Sequence, residues 1–506
     1  MPILTRPRAF ALAFSMAAAV CTGALAQPGS LKDEVSRAVA GLKLGSARVG
    51  ISVVDLETGD SLAEMNADLP LTPASNMKLL TTGAAAVVLT PEFVFKTEVI
   101  RDGDRLIVRG SGDPSLGDPL VLGDNEPKLT VGDVLSALAG AAAKSGMHEV
   151  REIVVDDRVF DRELVHPNWP VNQLDRPYCA QVSGLNFHVN VLSFYPGPNP
   201  QGPGTPPVYA LEPEAPWVRV DVRARTVADG KNTAWITREQ GEDRFALRGD
   251  IRFQTQQPIE ITCQDPALFF GRLLAHQLSK AGVRVAQAQN APAVRLAGAQ
   301  EQFAGRAIAI VNTPLADVLR RCNADSENLY AEALLKRMGH AVTRDAGSWN
   351  NGASVLRMVI GQRLSPQHAA ATTISDGSGM SRANQVSPGT LTRWLGAMHA
   401  DAKVRDMFTD SLARPGTGTL KKRFRDAKLK NEVRAKSGYI EGVRTLSGYV
   451  INGSTGRRVA FSVMVNDISS DEQTRAAMEL HEDIVKLADR WLAQKSVGME
   501  PAKVGG

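Results

Sequence analysis

A serine three residues ahead of a lysine, at the head of an apolar helix-forming run, is the feature that most constrains this chain. The stretch is Pro73-Ala74-Ser75-Asn76-Met77-Lys78-Leu79-Leu80. Residues three apart on a helix share a face, so Ser75 at a helix start and Lys78 one turn on bring a hydroxyl and an amine together. That is a nucleophile beside its base. A serine hydroxyl is a weak nucleophile at neutral pH, and a lysine takes its proton only where burial or a second cation lowers the amine pKa. The N–H groups at the helix start also suit a developing oxyanion. Among all the serines this is the one S-x-x-K, but a capping serine with a surface lysine has the same spelling, so the reading needs partners.

Two later stretches supply them. Asn323-Ala324-Asp325-Ser326-Glu327-Asn328-Leu329-Tyr330 puts Ser326 and Asn328 two apart, which lets both reach one cleft only from a loop or a helix start. The hydroxyl is suited to relay a proton and the amide to grip a carbonyl. Ala435-Lys436-Ser437-Gly438-Tyr439 precedes a strand expected over residues 444–450. There Gly438 would let a substrate backbone approach closely, and Lys436 with Ser437 supplies a cation and a hydroxyl for a carboxylate.

Composition frames the rest. The chain has 506 residues, 43% of them hydrophobic, and a net charge of +4, enough for several domains and too weakly basic to imply nucleic acid. The eight histidines form no metal-binding pattern, so no metal and no cofactor are expected. Arg6 and Arg8 precede an apolar run over 9–20, and Ala24-Leu25-Ala26 has a small-x-small cleavage pattern, so residues 1–26 read as a signal peptide cleaved near Ala26. No later stretch is long and apolar enough for a membrane anchor. Cys21 is preceded by Val20, a poor match to a lipoprotein signal. Beyond it stand Cys179, Cys263 and Cys322, an odd number; Cys179 with Cys263 is the pair to test, and Cys322 reads as a buried small hydrophobe.

Periodicity predicts a helix over 31–42, strands over 48–56 and 61–66 about a hairpin turn, a helix from Ser75, and a hairpin of 95–100 with 105–109. Gly110-Ser111-Gly112-Asp113-Pro114 reads as a turn. Residues 101–300 are mostly strand-like, for example 152–155, 218–225, 244–253 and 259–263, with a helix over 265–281. Thr313-Pro314 is expected to cap a helix running to Arg321. The C-terminal third holds a strand over 457–466 and a helix over 471–494 with Met478, Ile484, Leu487, Trp491 and Leu492 on an inward stripe. The expected fold is α/β in the α+β sense: an antiparallel sheet flanked by helices and formed by both chain ends, with domain segments 27–100 and 301–506 and an insertion over 101–300 of two small β-rich modules.

The S-x-x-K, S-x-N and K-[ST]-G elements, in this order, resemble the penicillin-binding protein and serine β-lactamase superfamily. Asp376-Gly377-Ser378-Gly379-Met380-Ser381-Arg382, Val386-Ser387-Pro388, Gly418-Thr419-Leu420 and Val182-Ser183-Gly184-Leu185-Asn186 narrow the resemblance to the class C, low-molecular-mass penicillin-binding proteins, the D-alanyl-D-alanine carboxypeptidase/endopeptidase family. The long stretch between Lys78 and Ser326 agrees, since members carry inserted domains there and β-lactamases do not. The resemblance implies a periplasmic serine peptidase that acts on peptidoglycan stem peptides ending in or cross-linked through D-Ala, and that β-lactams acylate. It implies Ser75 as nucleophile, Lys78 as base, Ser326, Asn328 and Lys436 as further catalytic residues, and Ser437, Gly438 and Tyr439 as substrate-binding ones, with Lys436 helping to keep the Lys78 amine neutral. The chain departs from the family in Ser437 for threonine, in Glu327 for aspartate, and in Tyr439 where threonine is usual. Tyr439 still has the N–H that the family uses for its oxyanion hole. The alternatives are a serine β-lactamase and a non-catalytic peptidoglycan-binding module. For Asp376-Gly377-Ser378-Gly379, a cleft-lining loop and a turn packed on the sheet remain equally open.

Overall fold

The computed structural model describes residues 30–239, 241–288 and 291–497; the expected signal peptide and Cys21 lie outside the described residues. Both ends of the chain build one sheet. Strands β1 (Arg48–Asp55) and β2 (Ser61–Met65) form a hairpin, and β3 (Glu432–Ile440), β4 (Val443–Ile451) and β5 (Arg458–Asn466) complete it in the order β2-β1-β5-β4-β3, every neighbour antiparallel. The helices that position the site are α1 (Leu31–Ala40), α2 (Met77–Leu89), α3 (Leu315–Ala324), α4 (Asn328–Thr343), α5 (Trp349–Arg363), α6 (Pro388–Ala400) and α7 (Asp471–Val497).

Successive side chains of a strand point to opposite faces, and β5 divides its residues accordingly. Val459, Phe461, Val463 and Val465 join the core under the terminal helices α1 and α7, whereas Ala460 and Met464 join the core shared with α2 to α6. On α7 the inward line runs through Ala477, Leu480, Ile484, Leu487, Ala488 and Leu492. Met478, expected on that stripe, is 38% exposed, because a turn of 3.6 residues places it beside the line. Helix α2 is buried on nearly every side, which explains why its sequence is apolar all round. A Cβ on Gly83 would lie 2.8 Å from Trp394 Nε1, and that closeness lets the indole N–H donate to Leu79 O at 2.9 Å.

A second five-stranded sheet takes up Val94–Asp102, Arg105–Arg109, Glu152–Asp156, Val294–Leu296 and Arg306–Pro314. The first and last of these pair antiparallel from Val94 opposite Pro314, so they carry the chain out toward residues 101–300 and back. One apolar cluster runs through that stretch from Val99 to Val285. It includes the expected helix, Pro266–Lys280, and a second one, Val131–Lys144, that the sequence reading missed although Thr130 and Asp133 spell a capping box. The strand expected over 244–253 breaks at Gly249, whose φ of 92° no side chain adopts readily.

Two further expectations change. Cys179, Cys263 and Cys322 are all buried and free; Cys179 belongs to the core around α2 to α5 and Cys263 to that of the insertion, where its thiol donates to Asn190 O at 3.4 Å. Thr313 does not cap α3, which runs on to Ala324. Its hydroxyl donates to Asp113 Oδ2 at 2.7 Å.

The segment carrying Asp118 is held to α3 and α4 by a buried charge. Asp118 Oδ2 accepts from Arg321 Nε at 2.8 Å and from the Tyr330 hydroxyl at 2.7 Å, with both ionic side chains almost out of reach of water. Arg321 also has Asp325 at 3.4 Å and Glu327 at 3.7 Å, so removing Asp118 costs its two buried hydrogen bonds rather than stranding the guanidinium. Asp118→Ala is expected to lower stability by about 1–3 kcal/mol, read as a fall in the denaturation midpoint; an unchanged midpoint would show that Asp325 and Glu327 suffice to hold Arg321.

Candidate active site

A short 3-10 turn, Ala74–Asn76, precedes α2, so Ser75 stands just outside the helix and Lys78 in its first turn. Lys78 is fully buried. Its Nζ lies 3.1 Å from Ser75 Oγ, and it donates to Asn328 Oδ1 at 2.6 Å and to Ser378 O at 3.0 Å. Burial lowers the pKa of this amine, because water no longer solvates the ammonium form. A neutral amine has two N–H bonds and one lone pair. In that form, with both N–H bonds taken by Asn328 and Ser378, the lone pair would face the Ser75 hydroxyl.

Asn328 is the first residue of α4, and Ser326 occupies the turn before it with φ of 68°. This is the loop-to-helix placement that lets residues two apart serve one cleft. The Asn328 side chain is held at both ends, since its Nδ2 donates to Tyr178 O at 2.8 Å. The backbone at Tyr178 thus reaches Asn328 from a remote part of the chain. Between them, Glu327 lies 3.7 Å from the Arg321 guanidinium and also within electrostatic reach of Lys78.

Strand β3 lines the other side as the edge of its sheet. Lys436 is fully buried and donates to Ser437 O at 2.8 Å. Its pKa is well below the ordinary lysine range, first by burial and then by the positive charge of Lys78. For Lys78 itself, burial is the principal cause. Ser437 is half-buried. Tyr439 is 66% exposed, and the Arg444 guanidinium sits 4.0 Å from the centre of its ring. Gly438 makes room within the protein as well. A Cβ there would lie 2.1 Å from Thr445 Oγ1, 2.9 Å from Pro73 O and 3.0 Å from Ser75 N, so Thr445 first, and the turn at Ser75 next, require the glycine.

Residues 376–379 complete the cleft wall, as the cleft-lining reading expects; the turn packs on helix α4 and on the Ala74 turn and not on the sheet. Gly377 packs on α4, where a Cβ would lie 2.7 Å from Ala331 O, and Ser378 contributes the carbonyl that accepts from Lys78. Asp376 ties the loop down, accepting from Gly379 N, Ser381 N, Asn384 Nδ2 and Trp169 Nε1 at 2.6–3.0 Å. Gly379, with φ of 84°, lies so close to Ala74 O that a Cβ would come within 1.8 Å. The two glycines around a serine were the sequence signal for a backbone contact here. Among the described residues, no group of three or more His, Cys, Asp or Glu is placed to hold a metal ion, and no helix is long and apolar enough to cross a membrane.

Overpacking at a close contact costs about 1–3 kcal/mol. Gly438→Ala is expected to lose that much stability, and Thr445→Ala in the same chain to restore part of it. Equal losses in the single and double variants would show that the Thr445 contact is not the reason.

The sequence profile of the D-Ala-D-Ala carboxypeptidase 3 (S13) family matches residues 31–490. Similar relatives include a D-alanyl-D-alanine carboxypeptidase of Actinomadura sp., 31% identical over 457 residues that cover 86% of this chain and 81% of the relative. Another is the D-alanyl-D-alanine carboxypeptidase DacB of Haemophilus influenzae, 23% identical over 84% of this chain and 87% of that one. The crystal structure of penicillin binding protein 4 (dacB) from Haemophilus influenzae superposes with a TM-score of 0.71 at 20% identity, covering 89% of this chain and 98% of that one, which establishes a shared fold. The profile match begins with α1, ends inside α7 and takes in every segment that converges on Ser75: the chain belongs to the D-Ala-D-Ala carboxypeptidase 3 (S13) family.

Proposed function

We propose that the protein is a serine D,D-peptidase that hydrolyses D-alanyl peptide bonds of peptidoglycan stem peptides through an acyl-enzyme on Ser75. The observation that carries this reading is the buried Lys78 amine, within hydrogen-bond reach of Ser75 Oγ while two fixed acceptors take its protons. The family and its named relatives supply the substrate class.

Ser75 Oγ attacks the carbonyl carbon of the penultimate D-alanine as its proton passes to Lys78 Nζ. The N–H groups of Ser75 and Tyr439 hold the oxyanion. The C–N bond then breaks, Ser326 relays the proton held by Lys78 to the departing amine, so that Lys78 is neutral again and Ser326 keeps its hydroxyl, and an ester remains on Ser75. Asn328 holds the acyl-side amide, and Lys436 with Ser437 receives the terminal carboxylate. Gly438 keeps β3 close to Ser75. Water attacks the ester as Lys78 Nζ takes its proton, and when the ester C–O bond breaks Lys78 returns that proton to Ser75 Oγ. Action at a cross-link follows the same chemistry with a longer leaving group, so the reading covers carboxypeptidase and endopeptidase cleavage. Residues 27–100 and 301–506 form the peptidase domain with residues 101–300 inserted, residues 1–26 direct export, and the periplasm is where the substrate lies.

The test is incubation with a labelled penicillin, followed by peptide mapping of the adduct and of its release. A long-lived adduct on Ser75 is expected, with none in Ser75→Ala. Rapid release from the same serine would make the protein a β-lactamase, and no adduct would leave a binding protein with an inert site. The acylation rate is also expected to depend on pH in a defined sense. Lys78 accepts a proton only when neutral, and its pKa is lowered by burial, so the rate rises with pH and levels off before the ordinary lysine range. A rate that keeps climbing through that range would show an unperturbed amine.

A further inference from the structure

Asn328 and Glu332 are one turn apart on α4 and share a face. Asn328 holds Lys78 directly. Glu332, completely buried, lies behind the other acceptor. Its Oε1 accepts from Ser378 N at 2.7 Å, and its Oε2 from Gly377 N at 2.9 Å and Trp349 Nε1 at 2.8 Å. From the opposite side the Thr81 hydroxyl of α2 donates to Gly377 O at 2.7 Å. The carbonyl of the segment so clamped, Ser378 O, takes one N–H bond of Lys78.

We propose that Glu332 is a positioning residue for the general base: by holding the N–H groups of Gly377 and Ser378 it fixes the carbonyl that orients the Lys78 amine, and so aims the lone pair at Ser75. The inference rests on the acyl-enzyme reading. A carboxylate is suited to this place because both of its oxygens accept, and three donors converge on them. A glutamine would turn an NH2 group toward one or more of those donors. The charged and titratable groups around Glu332 are Asp376 in the loop, Lys78 on α2, Lys336 one turn along α4, and Cys322 on α3. His166 packs edge-on against the Trp349 ring at 5.1 Å. Burial and Asp376 push the carboxyl up to about 7 against the pull of its three donors. Protonation below that value would make one of the two oxygens a donor facing donors, loosening the clamp.

The experiment measures penicillin acylation against pH for the wild type, Glu332→Gln and Thr81→Val. Acylation of the wild-type Ser75 secures the reading beneath the proposal, and its failure would count against that reading alone. Glu332→Gln is expected to acylate about 10- to 100-fold more slowly, the range that displacement of a reacting group produces. Its acid limb is expected to move to lower pH, because a negative charge that favours protonated Lys78 is gone. A normal rate, or a slow rate with the acid limb unmoved, would overturn the proposal. Should Glu332→Gln fail to fold, Thr81→Val decides. It is nearly isosteric, keeps every charge and removes the other tether of Gly377 together with a long contact to Met77 O at 3.4 Å, so slower acylation with the limb in place is expected, and a wild-type rate would overturn the proposal.

Discussion

A primary amine sealed from water is the constraint on which the rest of the site depends. An ammonium ion in that position would need full compensation, whereas a neutral amine needs only acceptors for its two N–H bonds. The protein provides two, one side-chain and one main-chain, and no single element could present both. Asn328 comes from the start of α4 and Ser378 from a loop some fifty residues later, so the helix that carries Ser75 and Lys78 must be enclosed by both. That requirement accounts for the apolar girth of α2 and for the close seating of α6 at Gly83.

The turn that holds Ser75 is confined with equal severity. Ala74 has φ of 46°, a conformation that costs a residue with a side chain about 1–3 kcal/mol and persists only where the surroundings enforce it. They do so from two sides. Gly379 closes over Ala74 O, and Gly438 brings β3 against Ser75 N, while the Thr445 hydroxyl donates to Pro73 O at 2.9 Å. Below the turn, Asn76 spends its side chain on Ser447 at 2.6 Å, and Ser447 continues to Ser462 at 2.8 Å. The nucleophile is therefore fastened to the sheet through β4 and β5 as well as to the helices.

What the amino-acid sequence discloses is what local periodicity and residue chemistry encode. Ser75 with Lys78 is legible because three residues make one turn, and Asn328 because a helix start lets it reach inward. The main sheet is legible in the apolar run of β5 and in the hairpin turn that follows β1. Contacts made by the backbone are not, since any residue supplies a carbonyl: the parts of Ser378 and Tyr178 emerge only when remote segments meet. Gly438 was visible as a glycine, but the neighbour it makes room for was not, because that neighbour is Thr445 on the adjacent strand. Cysteine spacing carried no information about pairing, since burial in separate cores, and not distance along the chain, decides it here. Met478 was misplaced by a single position on a helix whose true stripe begins at Ala477.

The double tether of Asn328 has one more implication. Because its amide already donates to Tyr178 O and already accepts from Lys78, an incoming peptide does not meet a vacant group; it must trade places with a carbonyl of the insertion. In such an exchange the gain is the difference between two similar hydrogen bonds, about 1 kcal/mol or less. On the proposed reading, recognition through Asn328 therefore favours a ligand shaped to release Tyr178 over one that merely binds well, and it makes the backbone at Tyr178 a competitor for the same amide.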